Sequence, residues 1–231
     1  LDFDFSVSKK MLAVSGPIAY GIVAENMPQK DVKVCFLGTY CVGKTSMTKR
    51  FVKGRFDEEY TSTIGAAFLS RSLYSQNIEY RFALWDTAGQ ERFRSLAPLT
   101  YRSAAAALIV YDITNQQSFD EVNFWISELR RDGPEEILIY VIGNKVDLES
   151  SRVVDRKVAE SYAQTKGVFH FHSSAKTGQG VDEIFYDICQ MTRSIQENRC
   201  KNRQSTVDVS NSTNSDGNNG GHRGRCRCQS K

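Results

Sequence analysis

The sequence has no apolar run approaching the roughly 18–20 residues that a helix needs to span a bilayer. None of its six cysteines belongs to a pair at disulfide or zinc-module spacing, and no internal repeat is present. Cys35, Cys41 and Cys189 fall in strand-like, loop-like and helix-like segments, where free thiols act as small hydrophobic side chains. These absences exclude membrane-spanning, disulfide-stapled and repeat classes, and we expect a protein of the reducing cytosol.

The composition is typical of a soluble globular protein with a sizeable core, because 40% of the 231 residues are hydrophobic and 25% are charged. The net charge of +3 is unevenly distributed. From Arg199 onward, seven basic residues stand against two acidic ones, so this tail carries +5 and the rest of the chain −2. A near-neutral body with a basic end favours an anionic membrane surface as a partner, and not nucleic acid.

Short β-rich segments alternate with segments of helical periodicity, which predicts an α/β fold with a mostly parallel sheet and helices on both faces. We predict six strands, one of them antiparallel, over 32–38, 67–75, 79–86, 105–112, 136–144 and 168–174. Helices are predicted over 44–54, 118–131, 155–167 and 181–198. Ser118 is the expected N-cap of the second helix.

Three segments follow from this pattern. Residues 1–30 are expected to be an N-terminal extension, either disordered or an artefact of the translation start, with Met27 as a natural beginning. Two lysines before an apolar stretch resemble a signal peptide there, but Gly16-Pro17 interrupts the stretch. Residues 31–198 form the folded domain. Residues 199–231 are expected to be a disordered basic tail, because Ser, Asn and Gly dominate and apolar residues are nearly absent.

The segment "GTYCVGKTS" over 38–46 has the G-x-x-x-x-G-K-[ST] spacing of a phosphate-binding loop, between a predicted strand and a predicted helix. Glycines in such a loop let backbone N–H groups approach phosphate oxygens. Lys44 would neutralise the β- and γ-phosphates, and the Thr45 hydroxyl could ligate Mg²⁺. The predicted nucleotide-binding residues of the loop are Gly38, Cys41, Val42, Gly43, Lys44, Thr45 and Ser46.

A second segment, "LWDTAGQE" over 84–91, predicts the catalytic half of the site. Asp86, at a strand end, can hold the water shell of Mg²⁺. The Gly89 N–H can reach the γ-phosphate, and Gln90 can orient a water molecule for in-line attack. Alone, D-T-A-G is equally an ordinary tight turn, but after a phosphate-binding loop it indicates catalysis. Gln90 and Lys44 are therefore the predicted catalytic residues.

Two further segments, "GNKVDL" (143–148) and "SSAK" (173–176), indicate which base is bound. Asp147 can accept hydrogen bonds from N1–H and N2–H₂ of guanine, whereas adenine would leave the carboxylate unpaired. GTP and GDP are therefore the expected nucleotides, and a P-loop kinase or ATPase becomes a distant alternative. The predicted base-binding residues are Asn144 and Lys145, which brace and pack the base, with Asp147, Ser174, Lys176 and the backbone amide of Ala175, aimed at guanine O6.

Together these segments resemble Rab-family small GTPases over about residues 31–198, most of all the early-endosomal branch. Beyond the nucleotide motifs, the resemblance rests on "TIGAAF" (63–68), "WDTAGQERF" (85–93), "SLAP" (95–98) and "LIVYDIT" (108–114). It implies a P-loop GTPase domain that hydrolyses GTP with Mg²⁺. Thr63 matches a threonine that ligates Mg²⁺ and senses the γ-phosphate, and Phe56 matches an aromatic that packs on guanine.

The resemblance also implies a monomeric switch in vesicle and endosomal traffic, on the cytoplasmic face of membranes and cycling with the cytosol. Its implied partners are a guanine-nucleotide exchange factor, a GTPase-activating protein, a GDP-dissociation inhibitor and effectors that read switch I (56–66) and switch II (88–102). Cys226 and Cys228, in "RGRCRCQSK", resemble a double-prenylation site, although three residues follow Cys228 and depart from a CaaX ending.

Two positions depart from the family pattern. Phe68 and Trp85 match two members of an aromatic trio that helps set effector choice, but the third position is Thr100. Tyr40 stands in the phosphate-binding loop where the family mostly carries a small residue. Tyr40 could crowd Gln90 and the attacking water, making the protein a persistently GTP-bound recruitment module. Alternatively, its phenol could swing into solvent and leave an ordinary hydrolysing switch.

Overall fold

A computed structural model of the chain describes residues 27–58, 63, 65–89 and 97–211, with side chains described as far as residue 199. The strands are β1 (Gln29–Leu37), β2 (Ala66–Ser75), β3 (Ile78–Thr87), β4 (Ala106–Asp112), β5 (Leu138–Asn144) and β6 (Phe169–His172). The helices are α1 (Lys44–Lys53), α2 (Ala97–Tyr101), α3 (Gln116–Asp120), α4 (Val122–Asp132), α5 (Arg156–Thr165) and α6 (Val181–Asn211), with a 3₁₀ helix over Val146–Ser151.

The six strands form one sheet in the order β2-β3-β1-β4-β5-β6. β2 pairs with β3 in antiparallel register, and every other neighbouring pair is parallel. The predicted six-stranded, mostly parallel sheet with one antiparallel strand is therefore confirmed. β4 is buried along its whole length, as expected for a continuous apolar strand with helices on both faces.

Each face of the sheet has its own hydrophobic core. On one face, α1 and α6 meet where the rings of Phe51 and Phe185 stack with centroids 3.5 Å apart, and Phe82 of β3 contacts both rings edge-on. On the other face, Trp125 and Leu129 of α4 pack on the sheet beside α2 and α5. The apolar stripes of the helices therefore account for the three-layer architecture.

The helix predicted from Ser118 begins earlier and is divided into α3 and α4. Asn115 is the N-cap of α3, because its side chain accepts a 3.2 Å hydrogen bond from the Ser118 N–H. Ser118 is thus wrong as the cap. Its buried hydroxyl instead accepts from the Asp112 N–H and donates to the Asn115 carbonyl, which ties α3 to the end of β4.

The boundaries of the folded domain also differ from prediction. β1 begins at Gln29, inside the predicted extension 1–30, whose first 26 residues lie outside the described part of the chain. α6 continues to Asn211, which lies inside the predicted tail 199–231. No Gly or Pro interrupts this stretch, and Arg199 pairs with Glu136, so a helix can continue without an apolar face. The remaining tail, 212–231, lies outside the described residues.

The described cysteines fall into two environments. Cys35 and Cys189 are buried and act as small hydrophobic side chains, as predicted, whereas Cys41 is exposed. Cys41 lies in the phosphate-binding loop, where its backbone has a left-handed φ of 62°. Among the described helices, none combines the length and apolarity that crossing a membrane requires.

Candidate nucleotide site

The carboxyl ends of the parallel strands meet at one edge of the sheet, where open α/β sheets bind ligands. A pocket of about 470 Å³ lies at this edge. The residues predicted from sequence that line it are Cys41, Gly43, Thr45, Ser46, Phe56, Asn144, Lys145, Asp147, Ala175 and Lys176. Lys49, Asp57, Glu58 and Leu148 complete the lining and were not predicted. The fold therefore brings segments separated by more than a hundred residues around one cavity.

The phosphate-binding loop is shaped by glycine at two close contacts. Gly43 has a φ of 96°, and a Cβ atom there would lie 2.3 Å from Nδ2 of Asn144. A Cβ atom at Gly38 would lie 2.2 Å from the Val110 carbonyl oxygen. α1 begins at Lys44, directly after the loop and without a side-chain cap. Its first N–H groups therefore have no intrahelical partner and can bind an anion.

The Lys44 ammonium is enclosed by the loop it follows. Lys44 is only 4% exposed, and Nζ donates to the carbonyl oxygens of Gly38 at 2.9 Å and Thr39 at 2.6 Å. Burial lowers the pKa of Lys44 to about 8, although the charge of Asp86 acts in the opposite direction. A polyanion beside the ammonium would offset this cost, so the position suits a phosphate group.

Three oxygen-bearing side chains predicted to hold Mg²⁺ converge. Thr45 Oγ1 lies 2.6 Å from Asp86 Oδ2 and 2.7 Å from Thr63 Oγ1. Asp86 Oδ1 is buried, and the described residues provide no hydrogen-bond partner for it. Burial raises the pKa of Asp86, while the Thr45 hydrogen bond and the Lys44 charge lower it. Hydroxyl and carboxylate oxygens are the donors that Mg²⁺ prefers, so this cluster fits a hydrated Mg²⁺ ion.

Asn144 joins the phosphate-binding loop to the loop after β6. It is 1% exposed, and its Nδ2 donates to the Val42 carbonyl at 2.8 Å. Its Oδ1 accepts from the Ala175 N–H at 3.1 Å and from the Ser173 hydroxyl at 3.2 Å. The Ala175 amide, predicted to point at guanine O6, therefore donates to Asn144 in this structure. The Ala175 amide has this partner because the buried Asn144 side chain contacts the phosphate-binding loop and the loop after β6 at the same time.

Lys145 is held by a carboxylate that the sequence reading missed. Its Nζ lies 2.6 Å from Asp112 Oδ2, while Asp112 Oδ1 accepts from the Thr114 N–H at 2.9 Å. Lys145 has a φ of 68°, a left-handed conformation that is uncommon for residues other than glycine. Its ion pair with Asp112 helps to hold this conformation beside the base pocket. Asp112 ends the apolar strand β4. A carboxylate at the carboxyl end of a buried parallel strand is the sequence feature that could have identified it as a residue of the site.

Asp147 is positioned from a separate loop. Ser174 is buried, and its hydroxyl donates to Asp147 Oδ1 at 2.5 Å. Arg50 of α1 braces the same loop, because its guanidinium donates to the carbonyl oxygens of Ala175, at 2.8 Å, and Lys176. Arg50 was also missed by sequence reasoning, since its position in α1 gives no local sign of a contact so distant in sequence.

A second, narrower cavity of about 30 Å³ adjoins the phosphate-binding loop. Tyr40, Lys44, Thr63 and Gly89 are among its lining residues. A Cβ atom at Gly89 would lie 2.5 Å from the backbone carbonyl oxygen of Thr39, so glycine is required where the two segments meet. Tyr40 is 45% exposed and lies at the rim of this cavity. Gln90, the predicted water-orienting residue, lies outside the described part of the chain.

An aromatic pair lies between the two predicted switch segments. Phe68 and Trp85 pack edge to face with centroids 5.6 Å apart, and Phe68 is largely exposed. Thr100, at the third position of the family trio, is buried, and its hydroxyl donates to the Ala97 carbonyl at 2.7 Å. The described surface therefore presents two members of the trio.

The chain is similar to known proteins over most of its length. A model of the Ras family matches residues 33–194. Ras-related protein Rab-21 of Bos taurus is 45% identical over 158 residues, covering 68% of this chain and 71% of that protein. Rab-21 of Homo sapiens is 44% identical over 158 residues, covering 68% and 70%. Ras-related protein RABF2b of Arabidopsis thaliana is 46% identical over 166 residues, covering 72% and 83%.

Proposed function

The chain belongs to the Ras family, within its Rab branch, and from this membership we propose that it is a GTP-binding and GTP-hydrolysing switch of endosomal membrane traffic. Ras-family proteins are GTPases that bind guanine nucleotides and Mg²⁺, and Rab proteins regulate membrane traffic. For this chain we propose which residues bind the guanine, the phosphates and Mg²⁺, and which take part in hydrolysis.

The position of Asp147 carries the proposal. Its carboxylate lines the larger pocket and is held by Ser174, while Lys145 and Phe56 line the same cavity. A guanine placed there would donate N1–H and N2–H₂ to Asp147, with Lys145 and Phe56 against the faces of the base. Adenine would leave the carboxylate without donors, and an unpaired charge costs binding free energy.

Nucleotide competition and the substitution of Asp147 test whether this pocket binds guanine. Displacement of a fluorescent GDP analogue from the full chain should require GTP, with ATP ineffective at a hundredfold higher concentration, because about 10⁴-fold discrimination is typical of such sites. The Asp147→Asn variant should lose affinity for GTP and gain affinity for xanthosine triphosphate, whose 2-oxo group accepts where guanine donates.

Glu149→Gln is the matched control for this experiment, because it removes an exposed carboxylate of the same 3₁₀ helix that pairs with Arg152. Its preference for GTP should be unchanged. Equal competition by ATP in the native chain, or an Asp147→Asn variant that keeps its preference for GTP, would exclude a guanine site.

The phosphate half of the site follows from charge and backbone geometry. The N–H groups at the start of α1 and the Lys44 ammonium would hold the β- and γ-phosphates. Thr45, Thr63 and Asp86 would hold Mg²⁺, which neutralises charge on the phosphate oxygens when bound. The Gly89 N–H would contact the γ-phosphate, and Gln90 would orient the attacking water molecule. Lys44 and Gln90 are thus the proposed catalytic residues.

Tyr40 supports a second candidate function, a recruitment module that stays bound to GTP. Its place at the rim of the narrow cavity, beside Lys44 and Gly89, is where the γ-phosphate and its attacking water would lie. A bulky ring there could exclude Gln90 or an arginine from an activating protein, which accelerates hydrolysis by about 10³–10⁵. We therefore propose that hydrolysis is slow and that Tyr40 is the cause.

The remaining parts of the proposal concern partners and location. We infer that an exchange factor, a GTPase-activating protein, a GDP-dissociation inhibitor and effectors read the two switches, with Phe68 and Trp85 on the effector surface. Prenyl groups on Cys226 and Cys228, in the tail outside the described residues, would anchor a monomer to the cytoplasmic face of endosomal membranes. Mass spectrometry of membrane-derived protein tests this anchor, which unmodified thiols at both positions would exclude.

A further inference from the structure

Strand β6 alternates two phenylalanines with two histidines. Phe169 and Phe171 face the core beneath α1 and α6, where both rings contact Tyr140. His170 and His172 therefore lie on the opposite face of the strand, toward α5. The neighbouring strand presents apolar side chains such as Val141 on that face. Hydrophobic packing alone gives no reason for two partly buried imidazoles at this place.

A carboxylate from α5 completes a cluster with these histidines. Glu160, His170 and His172 each offer a ligand atom, and the three atoms lie within 4.8 Å of one another. Nδ1 of His172 is 4.0 Å from Oε1 of Glu160, and the two imidazole centroids are 4.7 Å apart. Tetrahedral zinc ligands lie about 3.3 Å apart. The exposed Glu160 side chain can supply most of the movement needed to close around an ion.

The surroundings of the imidazoles suit metal ligation. Nδ1 of His172 faces Glu160, and its buried Nε2 has no hydrogen-bond partner among the described residues, so the ring is not committed to another protein group there. Nε2 of His170 lies 3.1 Å from the Tyr111 hydroxyl, and a hydrogen bond at this nitrogen would fix the tautomer and the ring orientation while Nδ1 binds an ion. Burial lowers the pKa of His170 to about 3 and of His172 to about 4, so both rings are neutral, the form that binds metals.

We propose that Glu160, His170 and His172 form a binding site for a divalent transition-metal ion of the zinc class, on elements other than those that carry the Mg²⁺ residues. Two imidazoles and one carboxylate are ligands that favour Zn²⁺ over Mg²⁺. An ion there would join the edge strand β6 to α5. His172 directly precedes Ser173, whose N–H donates to the Gly143 carbonyl at 2.9 Å, so the ion would also stiffen the entry to the base-binding loop.

Positive charge near the cluster opposes cation binding, so the removal of one such charge provides a test of the proposal. Arg156 and Arg152 both lower the pKa values of His170 and His172, so both act against a cation at the site. Arg152 is already paired with Glu149. Arg156 lies one helical turn before Glu160 on α5, so Arg156→Gln should bind Zn²⁺ several-fold more tightly than the native chain.

The test uses the full chain loaded with GDP and excess Mg²⁺, titrated with Zn²⁺ in a calorimeter. We expect one ion per chain and at least tenfold weaker binding in His170→Asn and in His172→Asn. His222→Asn, which removes the third histidine of the sequence, is the matched control and should bind like the native chain. Retained GDP binding in each variant shows that it is folded and that the nucleotide site is intact.

Thiols and phosphates also bind Zn²⁺, so the native chain is examined by NMR of its histidine ring nitrogens. One equivalent of Zn²⁺ should shift the ring resonances of His170 and His172 and leave those of His222 in place. The proposal is overturned if the native chain binds no Zn²⁺, if the ion leaves both rings unshifted, or if both histidine variants bind it undiminished. Each of these results would leave the proposed GTPase function untouched.

Discussion

The Ser174 hydroxyl donates a 2.5 Å hydrogen bond to Asp147 Oδ1, joining the loop after β6 to the 3₁₀ helix after β5. The same hydroxyl oxygen accepts from the Thr177 N–H at 3.1 Å. The orientation of the base-reading carboxylate is therefore set by a residue 27 positions away in sequence. Base recognition and closure of the loop after β6 are thus parts of one hydrogen-bonded unit.

Removal of this hydroxyl should loosen the base without unfolding the protein. A hydrogen bond to a charged group contributes about 1.5 kcal/mol, so Ser174→Ala should accelerate GDP dissociation about tenfold. Dissociation of a fluorescent GDP analogue measures this rate. Ser150→Ala, an exposed serine of the 3₁₀ helix, should leave it unchanged. Equal rates in native and Ser174→Ala chains would show that the contact does not hold Asp147 for the base.

Replacement of the buried metal-site carboxylate should remove the contribution of Mg²⁺ to nucleotide retention. In Asp86→Asn the side-chain shape is kept, while one negative charge beside Thr45 and Thr63 is lost. Mg²⁺ slows GDP release by some factor in each chain. We expect this factor to be at least tenfold smaller in Asp86→Asn than in the native chain. Release in the presence of a chelator should be similar in both. A full Mg²⁺ effect in Asp86→Asn would mean that the ion is held elsewhere.

The buried Lys44 should make GTP affinity depend on pH. Its pKa is lowered to about 8 by burial, and a bound triphosphate would raise it. Binding is then coupled to proton uptake above about pH 8, so affinity should fall by up to about tenfold per pH unit between about pH 8 and 9. Below this range Lys44 is already protonated and contributes no slope.

Lys44→Arg is the matched variant for this pH dependence, because a guanidinium remains protonated throughout the range. Its GTP affinity, although weaker, should vary little between about pH 7 and 9. Fluorescence titrations at constant ionic strength measure both chains. The same slope in the arginine variant would assign the pH dependence to another group.

Local sequence patterns predicted much of this fold because they reflect burial directly. The continuous apolar strands β4 and β5 and the G-x-x-x-x-G-K-[ST] loop lie where predicted, and the resemblance to early-endosomal Rab proteins is confirmed. The cap at Asn115 was missed because two capping residues stand three positions apart. The extension of α6 to Asn211 was missed because a scarcity of apolar residues suggested disorder, whereas no Gly or Pro ends the helix before that residue.

The site was predicted less completely than the fold, for a physical reason. Motifs identify residues that touch a ligand, but the residues that position them come from distant segments. Asp112 holds Lys145, and Arg50 braces the loop that contains Ala175. Such contacts depend on the order of the strands in the sheet and on which face each helix turns toward it, and neither can be read from a single sequence. The Ala175 amide illustrates the same limit, since its partner Asn144 lies on another strand end.

Single-turnover hydrolysis of GTP by the full chain with Mg²⁺, compared with its Tyr40→Gly variant, is the most direct test of the proposed function. We predict that the native chain releases one phosphate per bound GTP more slowly than the ~10⁻⁴ s⁻¹ scale of small GTPases. Tyr40→Gly should release it at least tenfold faster. Equal rates near that scale would make Tyr40 a bystander in an ordinary hydrolysing switch. If neither chain converts bound GTP to GDP over many hours, the protein is not a GTP-hydrolysing switch.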